Sequence, residues 1–169
     1  QVPSAREYTL TEFEPAVTDL AEVRFQHLTD NFLTTQLASS YSMGLHWFDD
    51  ARWDILANNL MVLAQIARRI GARGLIIDVE HYGYPLFNYD YMNAKYHPAD
   101  YATYDAKAYA RGQQAIRAIN AGDPDLTLLF YYSWETIVYE MPRAKEMRRL
   151  GYSLLLPFLE GMLATSTPE

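Results

Sequence analysis

Cysteine is absent from this 169-residue chain, which excludes disulfide bonds, thiolate metal sites and cysteine nucleophiles. Basic residues are few: 14 Lys and Arg against 21 Asp and Glu give a net charge of −7, which argues against a nucleic-acid partner because phosphate binding needs a basic surface. No apolar run approaches the roughly 20 residues that span a bilayer, so a membrane partner is not expected. Glycine-rich phosphate-binding motifs and a GxSxG elbow are also missing, and no cofactor is predicted.

Nothing along the chain divides it into parts. No linker, low-complexity segment or repeat interrupts it, so we predict one domain over residues 1–169 with an irregular lead-in over 1–15. The chain begins with Gln1 rather than methionine, which indicates a processed or trimmed product. An extracellular or periplasmic location is therefore favoured, although no export signal is visible.

Strand-like and helix-like patterns alternate along the sequence. The patterns predict helices over 16–30, 51–70, 102–121 and 135–150, and strands over 31–39, 74–80, 126–132 and 152–158. Asp49 or Asp50 is expected to cap the second helix and Gly71 to end it. This order is typical of an α/β protein with a parallel sheet. Four strands make about half of a (β/α)8 barrel of about 250 residues, so we predict a partial TIM-type barrel. Its unpaired strand edges predict completion by a second chain or by copies of this one.

One predicted strand ends in acidic and aromatic residues. Residues 74–91 read GLIIDVEHYGYPLFNYDY. Alternation along the strand places Asp78 and Glu80 on one face and the apolar residues between them on the other, toward the helices. Active sites of barrels and open α/β sheets lie at the carboxyl ends of strands. A carboxylate near a second one can have its pKa raised and act as a general acid, which is the role we assign to Glu80. The alternative is that both acids are hydrogen-bonded structural groups.

Further candidates follow the other predicted strands. Glu160 comes just after the last one and is a second carboxylate, either a nucleophile or the base that activates water; its alternative is an exposed loop acid. Tyrosine offers a flat apolar face and a hydroxyl, and the chain has fourteen tyrosines. The candidates for substrate binding are His46, Trp47, His81, Tyr82, Tyr84, Tyr132 and Trp134. Aromatic residues near strand ends are also common in protein cores.

A metal site is an alternative for the same region. His46, Asp49 and Asp50, together with the acids and the histidine after the strand over 74–80, offer carboxylate and imidazole ligands suited to Zn, Mn or Ca. However, no HxH or HExxH pattern is present, and the two aspartates have helix-capping roles. No metal is therefore predicted.

The segments NFLTTQLAS, WFDDARWDILANNLMVLAQIARRIGARGLIIDVEHYG, LLFYYSW and LLLPFLEGML together resemble the (β/α)8 barrels of bacterial glycoside hydrolases. In such barrels a strand that ends in DxE presents a proton-donating glutamate. The resemblance implies that Glu80 is this residue and that Asp78 orients it or tunes its pKa. GLIIDVE supplies only the last two acids of the DxxDxDxE signature of the chitinase-like clan.

These observations lead to three hypotheses. The first is a glycosidase that cleaves a poly- or oligosaccharide with Glu80 as general acid/base, Asp78 as orienting residue and Glu160 as second carboxylate. The second is a non-catalytic carbohydrate-binding or incomplete barrel protein. The third is a metal-dependent hydrolase.

Overall fold

A computed structural model describes residues 2–39, 42–144 and 146–166 and confirms an α/β architecture. The described helices are α1 (Glu14–Glu22), α2 (Asp50–Arg69), α3 (Tyr89–Lys95), α4 (Tyr101–Gly122), α5 (Trp134–Ala144) and α6 (Leu155–Leu163), and the strands are β1 (Phe32–Gln36), β2 (Gly74–Asp78) and β3 (Thr127–Tyr131). Short 3-10 turns lie at Leu10–Phe13 and Met147–Arg149. None of the described helices has the length and apolar character needed to cross a membrane.

The three strands form one parallel sheet in the order β1-β2-β3. Its register aligns Thr34, Ile76 and Leu129 in one row and Gln36, Asp78 and Tyr131 in the next. Parallel neighbours need crossover connections, and the helices between the strands provide them. Consecutive strands are therefore adjacent, and their carboxyl ends lie along the same edge.

Helices cover one face of this sheet. Leu75, Ile77 and Val79 are buried, as alternation along the strand predicts. They share a single hydrophobic core with residues of neighbouring strands and of α2, α4 and α6, among them Leu33, Leu128, Phe130, Trp53, Leu60, Ala115, Ile119 and Phe158. The apolar stripe of α2 is what seats this helix on the sheet, and the Asp49 side chain caps it by accepting from Arg52 N–H at 3.1 Å. Gly71 follows the helix with φ +69°, as expected of a C-terminal stop.

The opposite face of the sheet is open. Thr34 is exposed, Leu129 retains 44% of its accessible surface and Tyr131 retains 53%. In the described part of the chain no helix covers these side chains. In parallel α/β proteins both faces of the sheet are normally covered by helices. The open face is thus the one on which Asp78 and Glu80 were predicted to lie.

Both outer strands have a free edge within the described residues. A groove of about 820 Å³ runs along β3. One wall is β3 itself, and the other includes Leu159, Met162 and Leu163 of α6. No described strand pairs with the outer edge of β1 or β3, which leaves backbone N–H and C=O groups of both strands available.

Helices α4 and α6 approach each other at two glycines. A Cβ atom on Gly112 would lie 1.9 Å from the carbonyl oxygen of Phe158, and one on Gly161 would lie 2.0 Å from that of Tyr109. Both contacts are with backbone atoms. The two helices therefore pack at a distance that only a residue without a side chain permits at these positions.

The strand predicted over 152–158 is wrong, because residues 155–163 form α6 instead. Buried residues recur at helical spacing along one face of α6, namely Leu155, Phe158, Leu159 and Met162. Pro157 lies in the first helical turn, where the missing N–H has no intrahelical partner, whereas it would break the ladder of a central strand. The continuous apolar run LLLPFL concealed this period.

Other boundaries also differ from the sequence predictions. The first helix was predicted over 16–30 but ends at Glu22, because only Val17 of α1 is buried and the apolar residues beyond it are exposed. Helix α3 was not predicted, and it begins where the Asn88 side chain accepts from Tyr91 N–H at 2.8 Å. The helix predicted over 135–150 is described as α5 up to residue 144, followed by a separate 3-10 turn.

The lead-in segment is attached to α2 by one buried asparagine. The Asn59 side-chain amide donates to the carbonyl oxygens of Val2 and Arg6, and its oxygen accepts from Tyr8 N–H at 2.9 Å. Buried polar groups need such partners, and here one side chain satisfies three backbone groups. The irregular segment therefore has a defined position beside β1.

Candidate functional site

Two carboxylates lie at the carboxyl end of the central strand. Asp78 is the last residue of β2 and is 4% exposed, and Glu80 is half-buried two residues later. The Asp78 Oδ1 atom accepts a hydrogen bond from the Glu80 backbone N–H at 3.0 Å, which orients the two residues relative to each other. Neither acid forms an ion pair with an arginine or lysine among the described residues.

Tyr82 lies beside the two carboxylates. Interaction with the Glu80 side chain is the largest cause of a raised pKa of the Tyr82 phenol, followed by burial and by the negative charges of Asp78 and Glu80. The ring itself is exposed, and the Tyr82 backbone N–H donates to the carbonyl oxygen of Ala38 at 2.9 Å. The backbone of Tyr82 is thus bonded to the segment that follows β1, and its phenol lies close to both acids.

Two residues that the sequence reasoning missed flank Asp78 in the sheet. Gln36 and Tyr131 are its partners in the parallel register, so their side chains project from the same open face. Gln36 is half-buried and Tyr131 is exposed. The sequence could have indicated both residues, because aligning the predicted strands in parallel places them near the same row of the sheet as Asp78. The row offers an amide, a carboxylate and a phenol on one surface.

Aromatic rings are stacked beside the acids. His81 stacks on Tyr152 at a centroid distance of 4.0 Å, and Tyr132 packs on the same tyrosine at 5.4 Å. The His81 backbone N–H donates to the Tyr152 hydroxyl at 3.0 Å. Tyr152 was not predicted as a site residue, because its segment was assigned to a strand. The rings link the end of β3 to the residue that follows Glu80.

The imidazole of His81 is a neutral acceptor. Its Nε2 atom accepts a hydrogen bond from the Phe87 backbone N–H at 3.3 Å, which requires an unprotonated nitrogen. Burial lowers the pKa of the His81 imidazole to about 4. His81 is therefore uncharged near neutral pH and does not act as a proton donor there.

Two of the predicted sugar-binding aromatics are core residues. Tyr84 is 1% exposed, and its hydroxyl donates to the carbonyl oxygen of Leu45. Trp47 is fully buried, and its Nε1–H donates to the carbonyl oxygen of Leu86 at 2.8 Å. Their polar atoms are already bonded to the backbone and their rings pack inside the core. The structure therefore corrects the assignment of both to a ligand surface.

His46 lies apart from the acids, at the amino-terminal end of α2. Its ring stacks on Tyr96 at 5.3 Å, and the charges that act on it come from Asp49, His97 and Arg111. Burial is the main cause of the lowered pKa of the His46 imidazole. No described contact joins His46 to Asp78 or Glu80.

Glu160 does not follow a strand, contrary to the prediction. It lies within α6 and is exposed, and its charge contributes to the raised pKa of the Tyr101 phenol, of which burial is the main cause. No described contact joins Glu160 to Glu80 or Asp78. Trp134 begins α5, and its side chain falls outside the described part of the structure.

Among the described residues no group of three or more His, Cys, Asp or Glu side chains is arranged to hold a metal ion. His46, Asp49 and Asp50 do not converge with the acids of β2. Asp49 caps α2, and Asp50 pairs with Lys107 and Arg111. The side chains of His46, Asp49 and Asp50, which were considered as metal ligands, thus contact other groups of the fold instead.

Comparisons with known proteins give no match. No protein-family model matches the chain, and no curated protein or solved structure is significantly similar to it. The site must therefore be interpreted from its own geometry.

Proposed function

We propose that the protein binds a poly- or oligosaccharide at the open face of its sheet and cleaves it with Glu80 as general acid/base. The observation that carries the proposal is the hydrogen bond from the Glu80 backbone N–H to Asp78 Oδ1 at the carboxyl end of β2. It holds the two residues together at this edge of the sheet, and no described basic residue forms an ion pair with either of them. Glycoside hydrolysis uses a pair of carboxyl groups.

The roles of the two acids differ because their surroundings differ. Glu80 is half-buried and can reach a ligand, so it is assigned the transfer of a proton to the glycosidic oxygen as the bond breaks and the removal of a proton from the attacking water afterwards. Asp78 is buried and accepts from Glu80 N–H, so it is assigned the orientation of Glu80 and the stabilisation of positive charge on the sugar. Gln36 and Tyr131 are proposed to bind sugar hydroxyls beside it.

We further propose that the sheet is part of a TIM-type barrel. Its strands are parallel and consecutive, with the helical crossovers on one face and the acids on the other, which is how successive βα units of such barrels are arranged. The free edges of β1 and β3 would then pair with strands of a second chain or a second copy. The open face would become the interior of the barrel.

Replacement of Glu80 by glutamine tests the enzymatic role. We expect Glu80→Gln to lower kcat by at least about 100-fold while the melting temperature stays unchanged, because glutamine keeps the shape but not the proton. The measurement is reducing-sugar release from β- and α-linked glucans, xylan, mannan and chitin. Glu22→Gln, an exposed change at the end of α1, is the control and should retain full activity. A folded Glu80→Gln protein with wild-type activity would refute the assignment.

Sugar binding without hydrolysis is the second candidate. It is favoured by one observation: among the described residues no carboxylate from another strand faces Glu80. If the wild-type protein binds one of these glycans and hydrolyses none of them, this function replaces the first.

A further inference from the structure

Tyr132 has an unusual backbone conformation directly after β3. Its φ is +61°, and no other non-glycine residue of the described chain has a positive φ. The left-handed region costs a β-carbon-bearing residue free energy that glycine does not lose. A tyrosine at such a position indicates that the ring contributes something that glycine could not.

The ring of Tyr132 has one packed side and one open side. It contacts Tyr152 at 5.4 Å, and 39% of the surface of Tyr132 is exposed. Tyr152 in turn lies against His81, whose backbone donates to its hydroxyl. A series of packed rings therefore connects Tyr132 to the residue beside Glu80. A half-exposed tyrosine ring suits contact with a flat apolar surface.

This geometry points to a second sugar subsite. We propose that the protein takes a saccharide of at least two consecutive units, with one unit at Glu80 and a neighbouring unit stacked on Tyr132. The inference rests on the proposed function, and it adds the length of the substrate and the direction in which it crosses the sheet, from β2 toward β3. Monosaccharide derivatives would occupy the subsite at Glu80 alone.

The test compares short and long substrates in two variants. The probes are nitrophenyl glycosides of glucose, N-acetylglucosamine, xylose and mannose, each as monosaccharide and as β-1,4-linked trisaccharide. We expect wild-type kcat/KM to be at least about tenfold higher for the trisaccharide of the preferred sugar than for the monosaccharide. In Tyr132→Gly we expect the ratio of these two kcat/KM values to fall toward one. An unchanged advantage in Tyr132→Gly would overturn the proposal.

Thermal unfolding separates a binding role from a structural one. Tyr132→Gly should unfold at the wild-type temperature or above, since glycine accepts the backbone conformation, and Tyr132→Ala should unfold below Tyr132→Gly. A large fall in the melting temperature of Tyr132→Gly would show that the ring is there for packing and would overturn the proposal. Val138→Ala, at an exposed position of α5, is the matched surface control.

Calorimetric titration with the trisaccharides keeps the two proposals distinguishable. If the wild-type protein hydrolyses none of the probes but binds a trisaccharide, the hydrolytic function fails, and a tenfold or greater loss of affinity in Tyr132→Gly still supports the subsite. Equal affinity of Tyr132→Gly and wild type overturns the subsite. A third outcome is that Glu80→Gln loses hydrolysis while the wild-type protein cleaves short and long substrates equally well. This result would support the proposed function and overturn only the subsite.

Discussion

Gly112→Ala is expected to lower the free energy of unfolding by about 3 kcal/mol, because the new methyl group would overlap the backbone of α6. Its Cβ would lie 1.9 Å from the Phe158 carbonyl oxygen and within 3.0 Å of Met162 N. A backbone cannot rotate away as a side chain can, so α4 and α6 must separate along their contact. Alanine's better helix propensity offsets only about 1 kcal/mol of this cost.

The change should be visible as a fall in melting temperature of roughly 6–12 °C and as a lower midpoint in urea. Gly71→Ala is the matched control, because this glycine has φ +69° and no atom within 4 Å of its Cβ position. It should lose only the cost of the left-handed backbone, about 1–2 kcal/mol. Equal losses in the two variants would mean that α4 and α6 do not pack as closely as described.

The stability of the wild-type protein is expected to fall by about 2 kcal/mol between pH 7 and pH 5 because of His81. Burial lowers the pKa of its imidazole from 6.5 to about 4, so the folded state favours the neutral form. A base with a lowered pKa contributes stability that is fully present above the unfolded-state pKa. This contribution is lost progressively as the pH falls through 6.5 toward 4, where about 3 kcal/mol would be gone.

His81→Gln isolates this contribution. Glutamine retains an acceptor for the Phe87 N–H and does not titrate, so the stability of the variant should fall much less than that of the wild type between pH 7 and pH 5. A smaller slope should remain from His46, whose pKa is also lowered. The measurement is urea unfolding at pH 5, 6 and 7. His27→Gln, at an exposed position, is the control and should keep the wild-type slope. A full slope in His81→Gln would show that another group causes the pH dependence.

Much of the fold could be predicted from hydrophobic periodicity. The stripe of α2 and the apolar runs of β2 and β3 are long enough to identify their type, and their boundaries agree within a few residues. Helix α6 could not be identified from its continuous apolar run, although Pro157 was a usable signal against a strand. The end of α1 could not be predicted, because it depends on tertiary contacts. The apolar residues after Glu22 are exposed and do not pack against the rest of the described chain.

The site was predictable to a smaller extent. Alternation correctly assigns Leu75, Ile77 and Val79 to the core, because it follows from strand geometry alone. The position of Tyr82 beside the acids depends on the turn that follows, in which Gly83 adopts φ +80°, and no residue pattern specifies where this phenol lies. Composition also does not distinguish buried tyrosines such as Tyr84 from exposed ones such as Tyr82, since both lie in the tyrosine-rich segment 82–104.

The open face of the sheet determines the medium in which the acids act. Water above Leu129 and Tyr131 has a high dielectric constant, so charges on this face are strongly screened. A bound sugar would displace this water, and so would the remaining part of a barrel if it covered the same face. The attraction between the half-buried Glu80 carboxylate and a developing positive charge would then increase, because attraction between charges scales inversely with the dielectric constant.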